Sequence, residues 1–334
     1  MTRSTGKPTL GLSLPIDTSQ PLRQRVDNMV QIENDCFQIH FDEAQGASIL
    51  AGFIKRHGRL LPLMPDSRDP GCDLAKSCWI MAPYSNRIEN GVFRFGGKTH
   101  RLQRGGEHSI HGDVRQRPWR IFEKTDSQFT CQFDSRDFHD LNWPWDFTIA
   151  AAYEVRDSSF RSTLTLTNAS PHTMPAGFGW HPYFSRHLTD RDNELRLRVS
   201  VAGVYPDDNG NRIPSGPARP LLASEDFGTD TLLAGDRHID SCFSGYGGDG
   251  LLHWPGTGFR LRFQCSGACR HLVLYTPAGK PYIAFEPVSN ANNGVNLLAA
   301  GDSGTGIKVL PPGQSMAATL TMTACWGQHD PPST

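Results

Sequence analysis

The chain has 334 residues, 37% of them hydrophobic and 20% charged, enough for one large globular domain or two ordinary ones. Its 33 Lys and Arg nearly cancel its 34 Asp and Glu, so no global field points to nucleic acid, an anionic membrane or a cationic polymer. No apolar run approaches the roughly 18 residues that cross a bilayer.

Residues 1–29 open the chain as a loose polar leader without the apolar core of a signal peptide, so a soluble cytoplasmic protein is expected. From residue 30 to 326 period-two alternation dominates. DFTIAAAYEV (146–155), FRSTLTLTN (160–168), NELRLRVSV (193–201), GFRLRFQC (258–265), RHLVLYTP (270–277) and MAATLTMTACW (316–326) each alternate polar with apolar or small residues, as half-buried strands do. Turn clusters such as NGNRIPSGP, SGYGGDG and PPGQS separate them, and 33 glycines with 24 prolines suit a chain that reverses often. Only CDLAKSCWIM (72–81) and SEDFGTDTLLAG (224–235) hold a helical turn or two by pattern. The expectation is a single all-β domain of large sheets packed face to face over 30–326, with 327–334 as a tail. Eight cysteines are scattered, and the one close pair, Cys265 and Cys269, lacks a second pair for a zinc site, so reduced thiols are expected.

Four stretches carry candidate chemistry. In APYSNRIENG (82–91), Asn86 and Arg87 follow a proline-aromatic turn, and a guanidinium offers five fixed donors to hydroxyls or carboxylates. GGEHSIHGDVRQRPW (105–119) holds His108 and His111, which on a strand point to opposite faces; with no acid or third histidine at ligand spacing, no metal is expected. AGFGWHPYF (176–184) sets His181 among aromatic rings, where Trp180, Tyr183 and Phe184 are expected to hold its rotamer. Pro182 biases the histidine's backbone toward the extended region, and Gly177 and Gly179 allow close approach of a neighbour. PYIAFEPVSNANNGVN (281–296) delivers Glu286 from an apolar strand, where desolvation raises a carboxyl's pKa and improves it as a base. Asp240, in DRHIDSCFSGY, is a supporting acid for the same cleft.

Taken in order, NRI, HSIHG…W, GFGWHPYF, the Asp of HIDSCF, FEPVSN and the closing LPPGQSMAATLTM resemble the aldose 1-epimerases, or galactose mutarotases, from about residue 30 to 326. The resemblance implies a large antiparallel β-supersandwich with an open cleft, and an isomerase that interconverts the α and β anomers of a free aldohexose. By that resemblance Glu286 matches the general base and His181 the general acid, while His111 assists in holding the sugar. Arg87 and Asp240 match residues that bind sugar hydroxyls, and Asn86 travels with the arginine motif. No cofactor or metal is implied, the partner is a small monosaccharide, and a monomer or homodimer is expected. Two departures bear on the sugar: the amide-rich loop VSNANNGVN, and Arg115, Arg117 and Arg120 close to His111. On a strand Arg115 and Arg117 share a face, and such a patch favours a sugar carrying phosphate, sulfonate or carboxylate. The alternatives are therefore a mutarotase for a hexose 6-phosphate or sulfonated hexose, and a non-catalytic sugar-binding protein on the same fold. A hydrolase built on Asp240 and Glu286 is a further rival, requiring carboxyls roughly 5–10 Å apart.

Overall fold

A computed structural model describes residues 29–103, 108–192 and 194–327. The leader before Met29, Gly105 to Glu107 of the second motif, Asn193 and the tail beyond Gly327 lie outside them.

Five of the six alternating stretches fall in one antiparallel sheet of nine strands, and the sixth, RHLVLYTP, in a second sheet. The centre of the nine-stranded sheet is Ser315–Trp326, which pairs with Ser159–Asn168 on one side and Phe259–Gly267 on the other. Phe147–Arg156 shows the logic: Phe147, Ile149, Tyr153 and Val155 are buried while Thr148, Ala152 and Glu154 face outward. Each large side chain so buried contributes roughly 1.5–3 kcal/mol.

The buried face packs on the second sheet, of seven strands. Phe263 of the first sheet meets Phe285 with ring centroids 4.3 Å apart and Phe184 at 5.3 Å. Trp180 crosses between the sheets and donates its indole N–H to the Ser162 hydroxyl at 2.8 Å. In the second sheet Tyr282–Val288 runs between His271–Thr276 and the two short strands Gly179–Trp180 and Tyr183–Ser185. Tyr282–Val288 is buried on both faces, which explains its apolar composition. Ile283 and Phe285 enter the core, so alternation turns Glu286 to the opposite face. Gly177 and Gly179 permit the close approach expected of them: a Cβ would lie 2.1 Å from Asn290 Oδ1 at the first and 2.5 Å from Val288 Cγ1 at the second. A four-stranded meander over Met29–Met64 completes the fold.

The large antiparallel β-sandwich expected from the sequence is therefore the fold, while of the two stretches expected to hold a helical turn only the second does. CDLAKSCWIM forms turns and the short strand Ile80–Met81, while SEDFGTDTLLAG holds part of the 3-10 turn Ala223–Glu225 and the two-residue strand Thr231–Leu232. The α-helix of the described residues is Gly294–Ala299, inside the asparagine-rich segment. Six residues are too few for helical periodicity to register in sequence. All eight cysteines are free thiols, and five of them are buried.

Candidate active site

The non-core face of the second sheet floors an open cleft of about 830 Å³. All six residues singled out in the sequence line it: Asn86, Arg87, His111, His181, Asp240 and Glu286. Strand register explains three of the placements. Glu286 lies opposite Val273, and Asp240, on the next strand, lies opposite Tyr275, so both carboxyls sit on one face. Trp180 takes the core side, and His181 after it takes the cleft side, its amide donating to the Trp79 carbonyl at 3.0 Å. The other wall is joined by backbone: Arg87 pairs with Ile110, and the His111 amide donates to the Asn86 carbonyl at 2.7 Å. Asn86 and His111 both adopt left-handed backbone, φ 56° and 65°, which turns each side chain inward at a cost of order 1 kcal/mol apiece.

His181 Nε2 lies 3.2 Å from Glu286 Oε1. Both side chains are almost fully buried, and burial is the largest influence on each. It drives the Glu286 carboxyl well above the ordinary range, reinforced by Asp240 and opposed by Arg87. It pulls His181 down to about 3, with Arg115 and Arg87 adding to the fall. Burial likewise holds His111 well below its usual value, helped by His181 and the same two arginines. The 3.2 Å contact therefore joins two groups whose burial disfavours the charged form of each, so the surroundings oppose a carboxylate–imidazolium ion pair. Around it Trp79 Nε1, His108 Nε2, His111 Nδ1, His181 Nδ1 and Glu286 Oε2 are buried without a hydrogen-bond partner. Buried polar atoms are normally satisfied, so this concentration marks a site shaped for a ligand rich in donors and acceptors.

Several local expectations need correction. His108 and His111 do not point to opposite faces of a strand: only Ser109–Ile110 is strand, and both imidazoles line the cleft. Arg115 and Arg117 do not share a face, because Val114–Gln116 is a 3-10 turn. Arg115 enters the cleft, whereas Arg117 leaves it to pair with Asp113 at 2.7 Å and Asp140 at 2.6 Å. Arg120 is exposed and lies 3.8 Å from Asp137. The ring that stacks on His181 is not Trp180 or Phe184, which serve the core, but Trp79, at 4.0 Å and 28°. Tyr183 does flank the imidazole, at 4.9 Å. The amides of the 290–296 segment are internal ties. Asn290 Oδ1 accepts from the Ser85 amide at 3.2 Å, Asn293 Oδ1 from the Glu89 amide at 3.2 Å, and Asn296 Nδ2 donates to the Val92 carbonyl at 2.8 Å. They brace the stretch that carries Asn86 and Arg87.

Sequence reasoning passed over Trp79 and Arg212. Trp79 lay within a supposed helix. Arg212 lay in a turn cluster, yet its backbone is left-handed (φ 67°) and its Nε donates to Asp240 Oδ2 at 2.6 Å. The signal available was Asp207, whose carboxylate accepts from the amides of Asn211 and Arg212, each at 3.0 Å, and so shapes the loop.

The protein is thus a large antiparallel β-sandwich whose second sheet floors a polar cleft with a carboxyl and an imidazole buried side by side. The Aldose 1-epimerase family model matches residues 30–323, and the chain belongs to that family. The uncharacterized protein YphB of Escherichia coli K12 is 22% identical over 299 residues, covering 86% of this chain and 96% of the relative. A galactose mutarotase-like protein from Clostridium acetobutylicum has a TM-score of 0.77 at 19% identity, covering 89% of this chain and 95% of its own. The galactose 1-epimerase of Lactobacillus acidophilus has a TM-score of 0.68 at 18% identity, covering 89% and 94%. Among the described residues no helix is long and apolar enough to cross a membrane.

Proposed function

We propose that this protein is a cytoplasmic aldose 1-epimerase, which interconverts the α and β anomers of a free aldohexose within a single domain spanning 30–326. The observation that carries the reading is the Glu286–His181 pair, buried and 3.2 Å apart on the cleft floor.

A cyclic aldose is a hemiacetal, so opening it requires a proton to leave the C1 hydroxyl and another to reach the ring oxygen. The reactive form is the one in which the pair's proton has passed from Glu286 to His181: the Glu286 carboxylate then takes the C1 proton as the imidazolium donates to the ring oxygen. The pair then holds its one proton on Glu286. Rotation about C1–C2 presents the other face of the aldehyde. On closure Glu286 returns its proton to the carbonyl oxygen while His181 accepts that of the C5 hydroxyl. The proton inventory of the pair is the same before and after, so the site resets without solvent. Arg87 favours the carboxylate form at the moment it is needed. Asp240, oriented by Arg212, together with Asn86 and His111, receives sugar hydroxyls. Positioned acid–base assistance of this kind contributes about 10²–10⁴-fold. The chemistry calls for no metal, nucleotide or covalent intermediate.

Polarimetry of freshly dissolved α-glucose and α-galactose tests the reading. Faster equilibration with the wild type, lost in Glu286→Gln, supports it; no acceleration of either sugar removes the neutral aldohexoses as substrates.

A further inference from the structure

We propose that the sugar taken by this cleft carries an anionic group, and that Arg115 is the residue that receives it. The inference rests on the mutarotase reading and names the substrate class within it.

Three guanidiniums, those of Arg87, Arg115 and Arg212, line the cleft against two carboxyls, Asp240 and Glu286. Their partners are unevenly shared. Arg212 is held by Asp240 at 2.6 Å. Arg87 lies in the field of Asp240, Glu286 and Asp207. Among the described residues Arg115 forms no ion pair, although the field of Asp113 reaches it. The nearest acid in its own turn, Asp113, is already taken by Arg117 at 2.7 Å, and its half-buried guanidinium looks instead onto the Trp79 ring, 5.9 Å from the centroid. A second cation stands behind it: the Lys76 ammonium donates to the Arg115 backbone carbonyl. The chain as a whole has a formal charge of −1, so the surplus is a property of the cleft and not of the surface.

A guanidinium kept partly out of water without a carboxylate is costly. Its planar fork matches a phosphate, sulfonate or carboxylate in a bidentate, charge-assisted pair, about twice as strong as a hydrogen bond between neutral groups. The backbone beneath Arg115 is built to hold it. The Asp113 amide donates to the Ala82 carbonyl at 3.3 Å, the Trp119 indole to the Val114 carbonyl at 3.2 Å, and the Gly46 amide to the Arg117 carbonyl at 2.8 Å. None of these contacts uses the Arg115 side chain, so its replacement leaves the turn standing.

The test is anomer exchange by NMR on four probes: D-glucose, D-glucose 6-phosphate, D-glucuronate and 6-deoxy-6-sulfo-D-glucose. It is run on the wild type, Arg115→Met and Arg115→Lys, with thermal melting of each variant. The expected result is a kcat/KM for at least one anionic probe ten or more times that for glucose, weakened by added salt. That ratio falls tenfold or more in Arg115→Met and is partly restored in Arg115→Lys, which keeps the charge but loses the fork. Which probe leads identifies phosphate, carboxylate or sulfonate. Should Arg115→Met fail to fold, the ratio in Arg115→Lys carries the test by itself. If glucose is exchanged as fast as every anionic probe, or the folded variants keep the wild-type preference, the inference falls and the mutarotase reading stands. If no probe is accelerated, both fall together.

Discussion

Replacing Glu286 by Gln should stabilise the protein at neutral pH while removing its activity, and the stabilisation should grow with pH. The carboxyl is buried, its Oε2 has no partner, and desolvation with Asp240 holds its native pKa well above the usual value. In the unfolded chain the same group ionises near the ordinary glutamate value of about 4.3. Below that pH both states keep the proton, and the substitution gains nothing from this source. As pH rises above it the unfolded state sheds a proton that the native state retains. The wild type then loses about 1.4 kcal/mol per pH unit until the raised native pKa is reached. A glutamine, uncharged in both states, escapes that loss. Urea unfolding of wild type and Glu286→Gln at half-unit steps from pH 4 to 8 reads the difference directly. A gap that widens in favour of the variant supports the account. A gap that is flat, or that favours the wild type as pH rises, refutes it, and would mean that the native pair is a standing carboxylate–imidazolium ion pair.

The same pair sets the pH–rate profile. Because His181 is drawn down to about 3 and Glu286 is pushed up, kcat/KM should show no inflection near 6.5 between pH 5 and 8, which stopped-flow polarimetry in mixed buffers checks. His181 also shapes stability, with the opposite sign to Glu286. Its native pKa lies below the unfolded value of about 6.5, so stability is lost as pH falls from there toward about 3, and His181→Asn should flatten that slope in acid titrations of Tm. Trp79→Leu removes the ring stacked 4.0 Å from His181, and should lower kcat about tenfold with a smaller change in KM, since the indole orients the acid and does not itself transfer a proton. Gly177→Ala places a Cβ 2.1 Å from Asn290 Oδ1, an atom held by the Ser85 amide, and should cost about 1–3 kcal/mol in urea unfolding.

The sandwich was legible because period-two alternation is a local property: each of the long strands of the nine-stranded sheet falls on a stretch that alternates in sequence. Glu286 was legible for a related reason, as a polar residue set in an apolar strand, and His181 as the polar residue of an aromatic run that joins two short strands. The residues that were not legible reach the cleft through long-range backbone contacts. Trp79 becomes a wall of the site only because its carbonyl accepts the His181 amide from a hundred residues away. Arg115 parts from Arg117 because Asp113 and Asp140 claim the latter. The amides of Asn290, Asn293 and Asn296 brace the 85–92 segment rather than lining the cleft, a distinction that composition does not carry.

The central claim is that the cleft opens and recloses a sugar ring by moving one proton between Glu286 and His181. Anomer exchange on an aldose carrying a heavy oxygen isotope at its C1 hydroxyl tests it most directly, because ring opening keeps that oxygen as the aldehyde carbonyl while displacement by water expels it. The account predicts exchange accelerated by the wild type with the label retained, and acceleration lost in Glu286→Gln. Absence of acceleration, or loss of label at the rate of anomer exchange, would contradict it.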